Sequence, residues 1–217
     1  GSAGQRCSAL RIIFVPEDTA DELIESLAGA MDELQLGDPM DPATDVGPVI
    51  DNEQRELLLR HMERMEAAAK VIKKIDDVEL SERGFFFGPA LVELPSLDML
   101  DREVFGPILH VVRYKRRDVG AIARELAAKG YGLTLGIHSR LASFHRQIQS
   151  IVPAGNVYVN RNMVGAVVGV QPFGGEGLSG TGPKAGGPHY LHRFAGERTV
   201  TINIAAQGGD PELLNLS

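Results

Sequence analysis

The hydrophobic pattern of the chain changes repeatedly between strand-like runs and helix-like stripes. Residues 11–15 form a largely β-branched run, RIIFV, that predicts a buried strand. The apolar stripe that follows recurs at helical spacing, with Thr19 and Glu22 as a capping-box pair at its start and Gly37 placed to end it. Residues 37–48 are rich in Pro, Gly and Asp, which predicts a long loop.

The rest of the chain repeats this alternation. The expected strands are residues 71–75, 85–94, 108–114, 133–138 and 156–160. The expected helices are residues 52–69, residues 118–129 with Asp118 as the cap and Gly130 as the stop, and residues 141–151. Strands that alternate with helices predict an α/β fold in which a mostly parallel sheet is covered by helices on both faces, a three-layer α/β/α arrangement.

The C-terminal part carries one more alternating run, RTVTINI at residues 198–204, which follows a glycine-rich segment. Polar side chains alternate with Val200 and Ile202 in this run, so it predicts an edge strand that awaits a partner from elsewhere. We therefore expect a main unit over residues 1–195 and a C-terminal edge strand and tail over residues 196–217.

Composition then narrows the class of protein. The 217 residues are 43% apolar and 24% charged, which is typical of one globular domain, and the length excludes a large multidomain enzyme. A single Cys excludes a disulfide-stapled domain and a Cys-rich metal module, and a net charge of −7 argues against nucleic-acid binding. The sequence shows neither an apolar run near the ~18 residues of a membrane span nor a signal-peptide pattern, so we expect a cytoplasmic protein.

The single cysteine, Cys7, has two interpretations. It lies among small residues before a short helix-compatible stretch, and a thiol at a helix N-terminus is a nucleophile because the dipole and free amides stabilise its thiolate. A lone intracellular Cys is more often a buried and inert thiol. The residues around Cys7 leave both interpretations open.

Glycines cluster between residues 155 and 187, which predicts a backbone of special shape. Gly175, Gly177 and Gly180 match the dinucleotide-binding string GxGxxG, but prolines flank them and the required strand, turn and helix are missing from the pattern. We therefore favour a loop that shapes a pocket and offers backbone N–H groups to an anion.

Two further candidates are weak when taken singly. His189 and His192 lie three residues apart without a nearby third ligand, so a solvated helix face is favoured over a metal site. Glu103 has the surroundings of an ordinary loop carboxylate that faces solvent. The sequence therefore predicts no metal site.

Three motifs taken in order are much more specific than these single features. GQRC at residues 4–7, EVFGP at residues 103–107 and PFGG at residues 172–175 resemble the motifs of the aldehyde dehydrogenase superfamily, and the resemblance covers essentially the whole chain. More narrowly, GNVYVNRNMVGAVVGVQPFGGEGLSGTGPKAGGPHYL at residues 155–191 is similar to the Δ1-pyrroline-5-carboxylate dehydrogenases that form one half of bifunctional bacterial proline utilisation enzymes.

The resemblance implies the residues that carry the chemistry. Cys7 corresponds to the nucleophile of such enzymes, Glu103 to the residue that binds the nicotinamide ribose hydroxyls of NAD, and Phe105 to the residue that packs near the nicotinamide. The implied reaction is the NAD-dependent oxidation of glutamate γ-semialdehyde to glutamate through a Cys thiohemiacetal and a thioester.

The resemblance also implies a site for a small-molecule substrate. Ser8 and the backbone amides of Gly165 and Ala166 correspond to the groups that hold the substrate carboxylate, and Phe173 to the wall beside its aliphatic part. This assignment agrees with the amide-rich loop expected from the glycine pattern.

The sequence departs from the family before the nucleophile. Enzymes of this family carry a general-base Glu, an oxyanion-holding Asn and the dinucleotide-binding domain there, where this chain has six residues. We therefore expect a fragment that is inactive by itself, with Gly1 and Ser2 left from cloning. FAD is expected only in a proline dehydrogenase half that the sequence lacks, and a homo-oligomer is expected of the parent protein.

Two alternatives remain at this point. One is another aldehyde dehydrogenase that acts on an amino-acid or dicarboxylate semialdehyde. The other is a non-catalytic folding and assembly module in which Cys7 is buried and inert and the run at residues 198–204 mediates self-association.

Overall fold

The structure, a computed structural model, describes residues 2–76 and 78–203. Its helices are α1 (Glu17–Asp32), α2 (Asn52–Ala68), α3 (Val78–Arg83), α4 (Val119–Ala128) and α5 (Ala142–Gln149), with 3₁₀ turns at Leu97–Met99, Arg116–Asp118 and Tyr190–Phe194. Its strands are β1 (Ile12–Pro16), β2 (Lys70–Lys74), β3 (Ala90–Leu94), β4 (Ile108–Tyr114), β5 (Tyr131–Gly132), β6 (Thr134–Ile137), β7 (Asn156–Val159) and β8 (Glu176–Gly177). Over these described residues, no helix has both the length and the apolar composition to span a membrane.

The main sheet has four strands in the order β1-β4-β3-β2. Strands β1 and β3 both run parallel to β4, with Ile12 opposite His110 and Ala90 opposite Ile108, and only β2 is antiparallel to its neighbour. The expected mostly parallel sheet is therefore confirmed. Because β4 is central, the segment that leads into it, residues 103–107, lies next to the segment that leads into β1.

Helices cover both faces of this sheet, as the three-layer prediction requires. Alternate residues of β3 point to opposite sides, so that Val92 joins a cluster with Leu58 and Met62 of α2. Leu91 joins a second cluster with Ile24 of α1 on the other face. Full burial of side chains of this size stabilises the fold by about 1.5–3 kcal/mol each, so the two clusters fix the layers.

The C-terminal half forms smaller sheets that are separate from the main one. Strands β6 and β7 pair in parallel, and their apolar cluster includes Ala123 of α4 and Ile148 of α5. Strands β5 and β8 form a short antiparallel pair. The predicted strands at residues 133–138 and 156–160 therefore exist, but they do not extend the four-stranded sheet.

The predicted start of α1 is wrong. The helix begins at Glu17, because Pro16 occupies the N-cap position with φ −58°, a value that its ring fixes and that suits a helix start. The hydroxyl of Thr19 donates to the Pro16 carbonyl at 3.3 Å, so Thr19 and Glu22 do not form a capping box.

The predicted end of α1 is also wrong, since the helix stops at Asp32. Gly37 lies in the following loop, where its N–H donates to the Val46 carbonyl at 3.1 Å. The loop prediction for residues 37–48 is otherwise confirmed.

Other boundaries follow the sequence more closely. Helix α2 begins where Asp51 accepts the N–H of Gln54 at 2.8 Å, and α4 ends before Gly130, whose φ of +78° terminates it. Asp118 occupies the N-cap position of α4 without making a side-chain cap bond. Residues 85–89, predicted as strand, are irregular, and the short helix α3 was not predicted.

The predicted C-terminal edge strand is not formed in the described part of the tail. Residues 195–203 have no strand pairing, and Val200 and Ile202 are 64% and 61% exposed. The last residue of the predicted run and the following residues, 204–217, lie outside the described residues, so the proposed pairing with another chain stays a prediction.

Candidate active site

Cys7 lies in an exposed turn just before β1. The N–H of Ala9 donates to the Arg6 carbonyl at 3.0 Å and closes a single turn, after which the chain enters β1 at Ile12. The predicted helix N-terminus at Cys7 is therefore wrong, because the segment before the strand is too short to hold a helix. The expected burial of Cys7 in the alternative interpretation is wrong as well, since Cys7 is exposed while its neighbour Ser8 is only 5% exposed.

The turn that carries Cys7 is docked against the 103–107 segment. Ala3 and Gly4 adopt left-handed backbone angles, with φ of 48° and 66°, that bend the chain toward Gly106. A Cβ on Gly4 would lie 2.3 Å from the Gly106 carbonyl oxygen, a separation that only glycine permits. Two motifs that are about 100 positions apart in sequence thus touch backbone to backbone.

Arg11 binds both segments at once. Its Nε donates to Oε1 of Glu103 at 3.0 Å, and its two terminal nitrogens donate to the carbonyls of Gly4 and Arg6 at 2.5 and 2.9 Å. Its guanidinium carbon also lies 4.6 Å from the centre of the Phe105 ring, a cation–π distance. Sequence reasoning missed Arg11, although an Arg placed between the GQRC motif and a buried strand was the available signal.

Helix α2 and the residues just before it also contact the 103–107 segment and the docked turn. The side-chain amide of Gln54 donates to the Phe105 carbonyl at 2.5 Å, and Leu58 leaves no room for a side chain on Gly106. Gln5 accepts the N–H of Ile50 at 2.9 Å, which ties the turn to the start of the helix. Contacts with α2 and with Ile50, just before it, therefore hold both the GQRC and the EVFGP motifs in place.

A buried histidine pair lies beside Arg11. Nδ1 of His110 lies 3.0 Å from the Arg11 carbonyl oxygen, and Nε2 of His110 lies 2.9 Å from Nε2 of His61. Burial lowers the pKa of both rings to about 4, because removal from water disfavours the imidazolium form, and for His61 the neighbouring His110 acts in the same direction. Both rings are thus neutral at pH 7.

The residues expected to bind the substrate carboxylate lie on an exposed loop. Gly165 has a φ of +88°, and both Gly165 and Ala166 are exposed. The hydroxyl of Tyr158 donates to the Gly165 carbonyl at 3.4 Å, and the side chain of Asn162 accepts the N–H of Val164 at 2.8 Å. The loop backbone is therefore fixed on both sides of a bend that directs it into solvent.

Phe173 lies on the wall of an open cleft of about 290 Å³. Its backbone pairs with Ala185 through hydrogen bonds of 3.0 and 2.9 Å, and the side chain of Asn156 bonds to Pro172 and Gly174 on either side of it. The cleft is lined by Phe173, Gly174, Gly175, Ser179, Gly180, Thr181, Gly182, Pro183, Ala185, Tyr190, Arg193 and Phe194. The expected pocket-shaping loop is therefore present.

The glycine-rich segment does not form a dinucleotide-binding turn. Glu176–Gly177 pairs as the short strand β8, a turn follows, and the next helical residue is Tyr190. The glycines instead allow close backbone contact, since a Cβ on Gly155 would lie 1.8 Å from the Gly174 carbonyl oxygen. The rejection of the GxGxxG match is confirmed.

Two basic side chains in and just after this segment, Lys184 and Arg193, are engaged by the protein itself. Lys184 donates to the Gly155 carbonyl, and Arg193 donates to the Gly182 carbonyl and to the Thr181 hydroxyl. The rings of His189 and His192 are exposed and 6.0 Å apart. Across residues 2–76 and 78–203, no group of three metal-ligating side chains is assembled.

The structure thus brings some of the predicted residues together and leaves others apart. The turn that carries Cys7 and Ser8 is docked against the segment that carries Glu103 and Phe105. Gly165, Ala166 and Phe173 belong to the glycine-rich half, and within the part of the chain that the structure describes no hydrogen bond or ion pair joins the two groups.

Comparison with known proteins gives a consistent result. The pattern described as "Aldehyde dehydrogenase family" matches residues 1–200. The chain is 49% identical over 220 residues to "Bifunctional protein PutA" of Klebsiella aerogenes, a match that covers 98% of this chain and 17% of that protein.

Solved structures agree with the sequence match. A mutant of Bradyrhizobium japonicum Proline Utilization A (PutA) superposes with a TM-score of 0.87 at 57% identity, over 95% of this chain and 21% of that one. A 1-pyrroline-5-carboxylate dehydrogenase from Thermus with bound NAD superposes with a TM-score of 0.76 at 33% identity, over 88% of this chain and 37% of that one. The chain therefore spans less than half the length of each of these relatives.

Proposed function

The chain belongs to the aldehyde dehydrogenase family, and from this premise we propose that the longer protein containing it oxidises glutamate γ-semialdehyde, the open form of Δ1-pyrroline-5-carboxylate, to glutamate. The observation that carries the proposal is the docking of the exposed Cys7 turn onto the segment that bears Glu103 and Phe105. This contact places the turn that carries the proposed nucleophile against the segment that carries a carboxylate and an aromatic ring, two groups suited to a nicotinamide ribose.

Cys7 is the proposed nucleophile. Its thiolate sulfur attacks the aldehyde carbon and forms a thiohemiacetal, the carbon then loses a hydride to give a thioester, and water releases glutamate. The exposure of Cys7 supports this role, because a substrate must reach the sulfur. Within the described residues the backbone N–H of Cys7 donates no hydrogen bond, so it is available to the thiohemiacetal oxyanion.

Glu103 and Phe105 fit the nicotinamide ribose half of NAD. Arg11 engages Oε1 of Glu103, and over the residues that the structure describes Oε2 accepts no hydrogen bond, which suits a carboxylate that receives ribose hydroxyls. Phe105 is held by its backbone at Gln54 and by Arg11 on one ring face. NAD supplies the hydride acceptor when bound.

The substrate carboxylate is assigned to Ser8 and to the N–H groups of Gly165 and Ala166. The bend at Gly165 supports this assignment, because Gly165 and Ala166 are successive exposed residues on one loop. Phe173, on the cleft wall, is assigned to the aliphatic part of the substrate.

We assign the general base and the dinucleotide-binding domain to parts of the longer protein outside these 217 residues. We therefore propose that this chain alone does not turn over pyrroline-5-carboxylate, and that the longer protein acts as a homo-oligomer. FAD is assigned only to a proline dehydrogenase part of that protein, in line with the name "bifunctional" of its relatives.

The test compares wild-type longer protein with its Cys7→Ala and Cys7→Ser variants. We expect NAD-dependent turnover of pyrroline-5-carboxylate to fall on the order of 10⁴-fold or more in both, with an unchanged unfolding temperature because Cys7 is exposed. Retained turnover in Cys7→Ala would contradict the nucleophile assignment. A clear preference for another semialdehyde in a substrate panel would contradict the substrate, and turnover by the 217-residue chain alone would contradict its proposed inactivity.

A further inference from the structure

We propose that Arg11 is a positioning residue that sets the cofactor-binding carboxylate of Glu103 relative to the turn of Cys7. The inference rests on the proposed function, since it extends the roles given there to Glu103 and Cys7. Arg11 itself touches neither the sulfur nor a reacting atom in this assignment, so its effect passes through the groups that it holds.

The geometry gives Arg11 contacts to three parts of the chain. One guanidinium nitrogen reaches the Glu103 carboxylate, and two others reach the carbonyls of Gly4 and Arg6, on the two sides of Gln5 in the turn. Its side chain is 15% exposed and that of Glu103 is 39% exposed, so the ion pair is partly shielded from water. The turn and the carboxylate therefore cannot move apart without breaking at least one of these bonds.

This arrangement requires arginine specifically. The planar guanidinium directs its N–H groups in fixed directions, so that a single side chain can serve a carboxylate and two carbonyls while one face lies on the Phe105 ring. A lysine offers one compact ammonium and reaches only part of this set. From these four contacts we expect the shape of the group at position 11 to matter more than its charge.

The backbone of Arg11 is fixed as well. Its carbonyl oxygen accepts the backbone N–H of His110 at 3.0 Å and lies 3.0 Å from Nδ1 of the same residue, at the edge where β4 pairs with β1. The guanidinium therefore projects from a point anchored in the sheet. Such anchoring is what a residue needs in order to hold a binding group within the narrow range that a cofactor tolerates.

The consequence concerns cofactor binding more than folding. Without Arg11, the Glu103 carboxylate loses a charge-assisted bond and samples other rotamers, so fewer molecules present it to the ribose hydroxyls at any moment. The affinity for NAD⁺ then falls by a factor on the order of 10, the loss expected for about one such bond.

The experiment uses the longer protein with Arg11→Met, Glu103→Gln, and both changes together. We measure the dissociation constant of NAD⁺ by titration, together with kcat and the KM for pyrroline-5-carboxylate. Each single change should weaken NAD⁺ binding about tenfold. If Arg11 acts through Glu103, the double variant should bind NAD⁺ no more weakly than Glu103→Gln alone. The carboxylate that Arg11 positions is already absent in Glu103→Gln, so the loss of Arg11 has no further effect.

Two controls keep folding separate from positioning. Arg11→Lys retains the positive charge and should recover part of the NAD⁺ affinity, with an unfolding temperature close to that of the wild type. Arg116→Met removes an exposed ion pair elsewhere, to Asp18, and should leave NAD⁺ affinity unchanged.

The outcomes separate the inference from the function on which it rests. A wild-type protein that neither binds NAD⁺ nor oxidises pyrroline-5-carboxylate overturns the proposed function. Normal NAD⁺ affinity in Arg11→Met, or a double variant whose loss equals the product of the single losses, overturns the positioning role of Arg11 while the function stands.

Discussion

Nε2 of His61 lies 2.9 Å from Nε2 of His110 in the core next to Arg11, and this contact fixes the protons of both rings. Nδ1 of His110 faces the Arg11 carbonyl oxygen and must carry a proton, so its Nε2 is an acceptor. His61 must then donate from Nε2 and accept at Nδ1, where Arg64 approaches to 3.4 Å. Arg64 also donates to Asp101 at 3.5 Å at the surface, and from Arg64 inward each donor points toward the Arg11 carbonyl oxygen.

This pair predicts a pH dependence of stability. The pKa of each ring falls from 6.5 to about 4 in the folded state, so the folded protein binds fewer protons than the unfolded chain between these values. The contribution of His61 and His110 is complete above pH 6.5 and is lost progressively as the pH falls toward 4. Unfolding in denaturant, measured from pH 7.5 to pH 4.5, should show a free energy of unfolding that changes little near pH 7.5 and decreases progressively below pH 6.5.

A double variant provides the control for this pH dependence. His61→Leu combined with His110→Leu removes both titrating rings together and should flatten the decrease, whatever its effect at pH 7.5. Changing the exposed His189 and His192 to Asn should leave the profile as in the wild type. An equally steep profile in the Leu variant would show that other groups cause the loss.

The contact of Gly4 with Gly106 predicts a large effect of one methyl group. Gly4→Ala places a Cβ against the Gly106 carbonyl at a φ of +66°, and this should lower the free energy of unfolding by about 2 kcal/mol or more. Gly29→Ala is the matched control, because Gly29 lies in α1 with nothing within 4 Å of a new Cβ. It should raise the free energy of unfolding by about 0.5–1 kcal/mol. Equal effects of the two changes would contradict the close docking of the turn.

Much of the fold could be predicted because local patterns and tertiary packing agree. The stripe that contains Leu58 and Met62 is the face of α2 that the sheet buries, and the cap at Asp51 agrees with it. Where a local signal competed with its neighbours, the prediction failed. Thr19 and Glu22 match a capping box, but Pro16 already starts the helix three residues earlier.

The sequence motifs predicted which residues belong to the candidate site, but they did not predict its geometry. The motifs named Cys7 and Glu103, yet no pattern in the sequence shows that a turn rather than a helix carries the thiol. The role of Arg11 depends on β1 pairing with β4, a contact between residues about 100 positions apart, and spacing along the chain does not encode it. Long-range backbone contacts of this kind follow from packing of the whole domain.

We predict that the tail segment at residues 198–204 forms part of the interface of the proposed homo-oligomer. Val200 and Ile202 alternate with polar residues and are more than half exposed, as expected of a segment that pairs with another chain. Changing both to Asp in the longer protein should shift size-exclusion elution toward a smaller species. The same changes at Val168 and Val170, which are also exposed, should leave elution unchanged. Unchanged elution of the tail variant would exclude this segment from the interface.

A substitution at Ala166 should weaken binding only of substrates that carry the carboxylate. Ala166→Pro removes the N–H assigned to that carboxylate, whereas Ala166→Gly keeps it and removes only a methyl group from an exposed position. In the longer protein, Ala166→Pro should raise the KM for the semialdehyde on the order of tenfold, the cost of a hydrogen bond to a charged group.

A substrate without the carboxylate separates this effect from a general distortion of the loop. Propanal has the aldehyde and an aliphatic chain but no anion, so its KM should be the same in Ala166→Pro, Ala166→Gly and the wild type. A parallel rise of both KM values in Ala166→Pro would mean that the proline displaces the wall formed by Phe173 as well. The selective rise is expected because, in this assignment, the N–H of Ala166 contacts only the anionic end of the substrate.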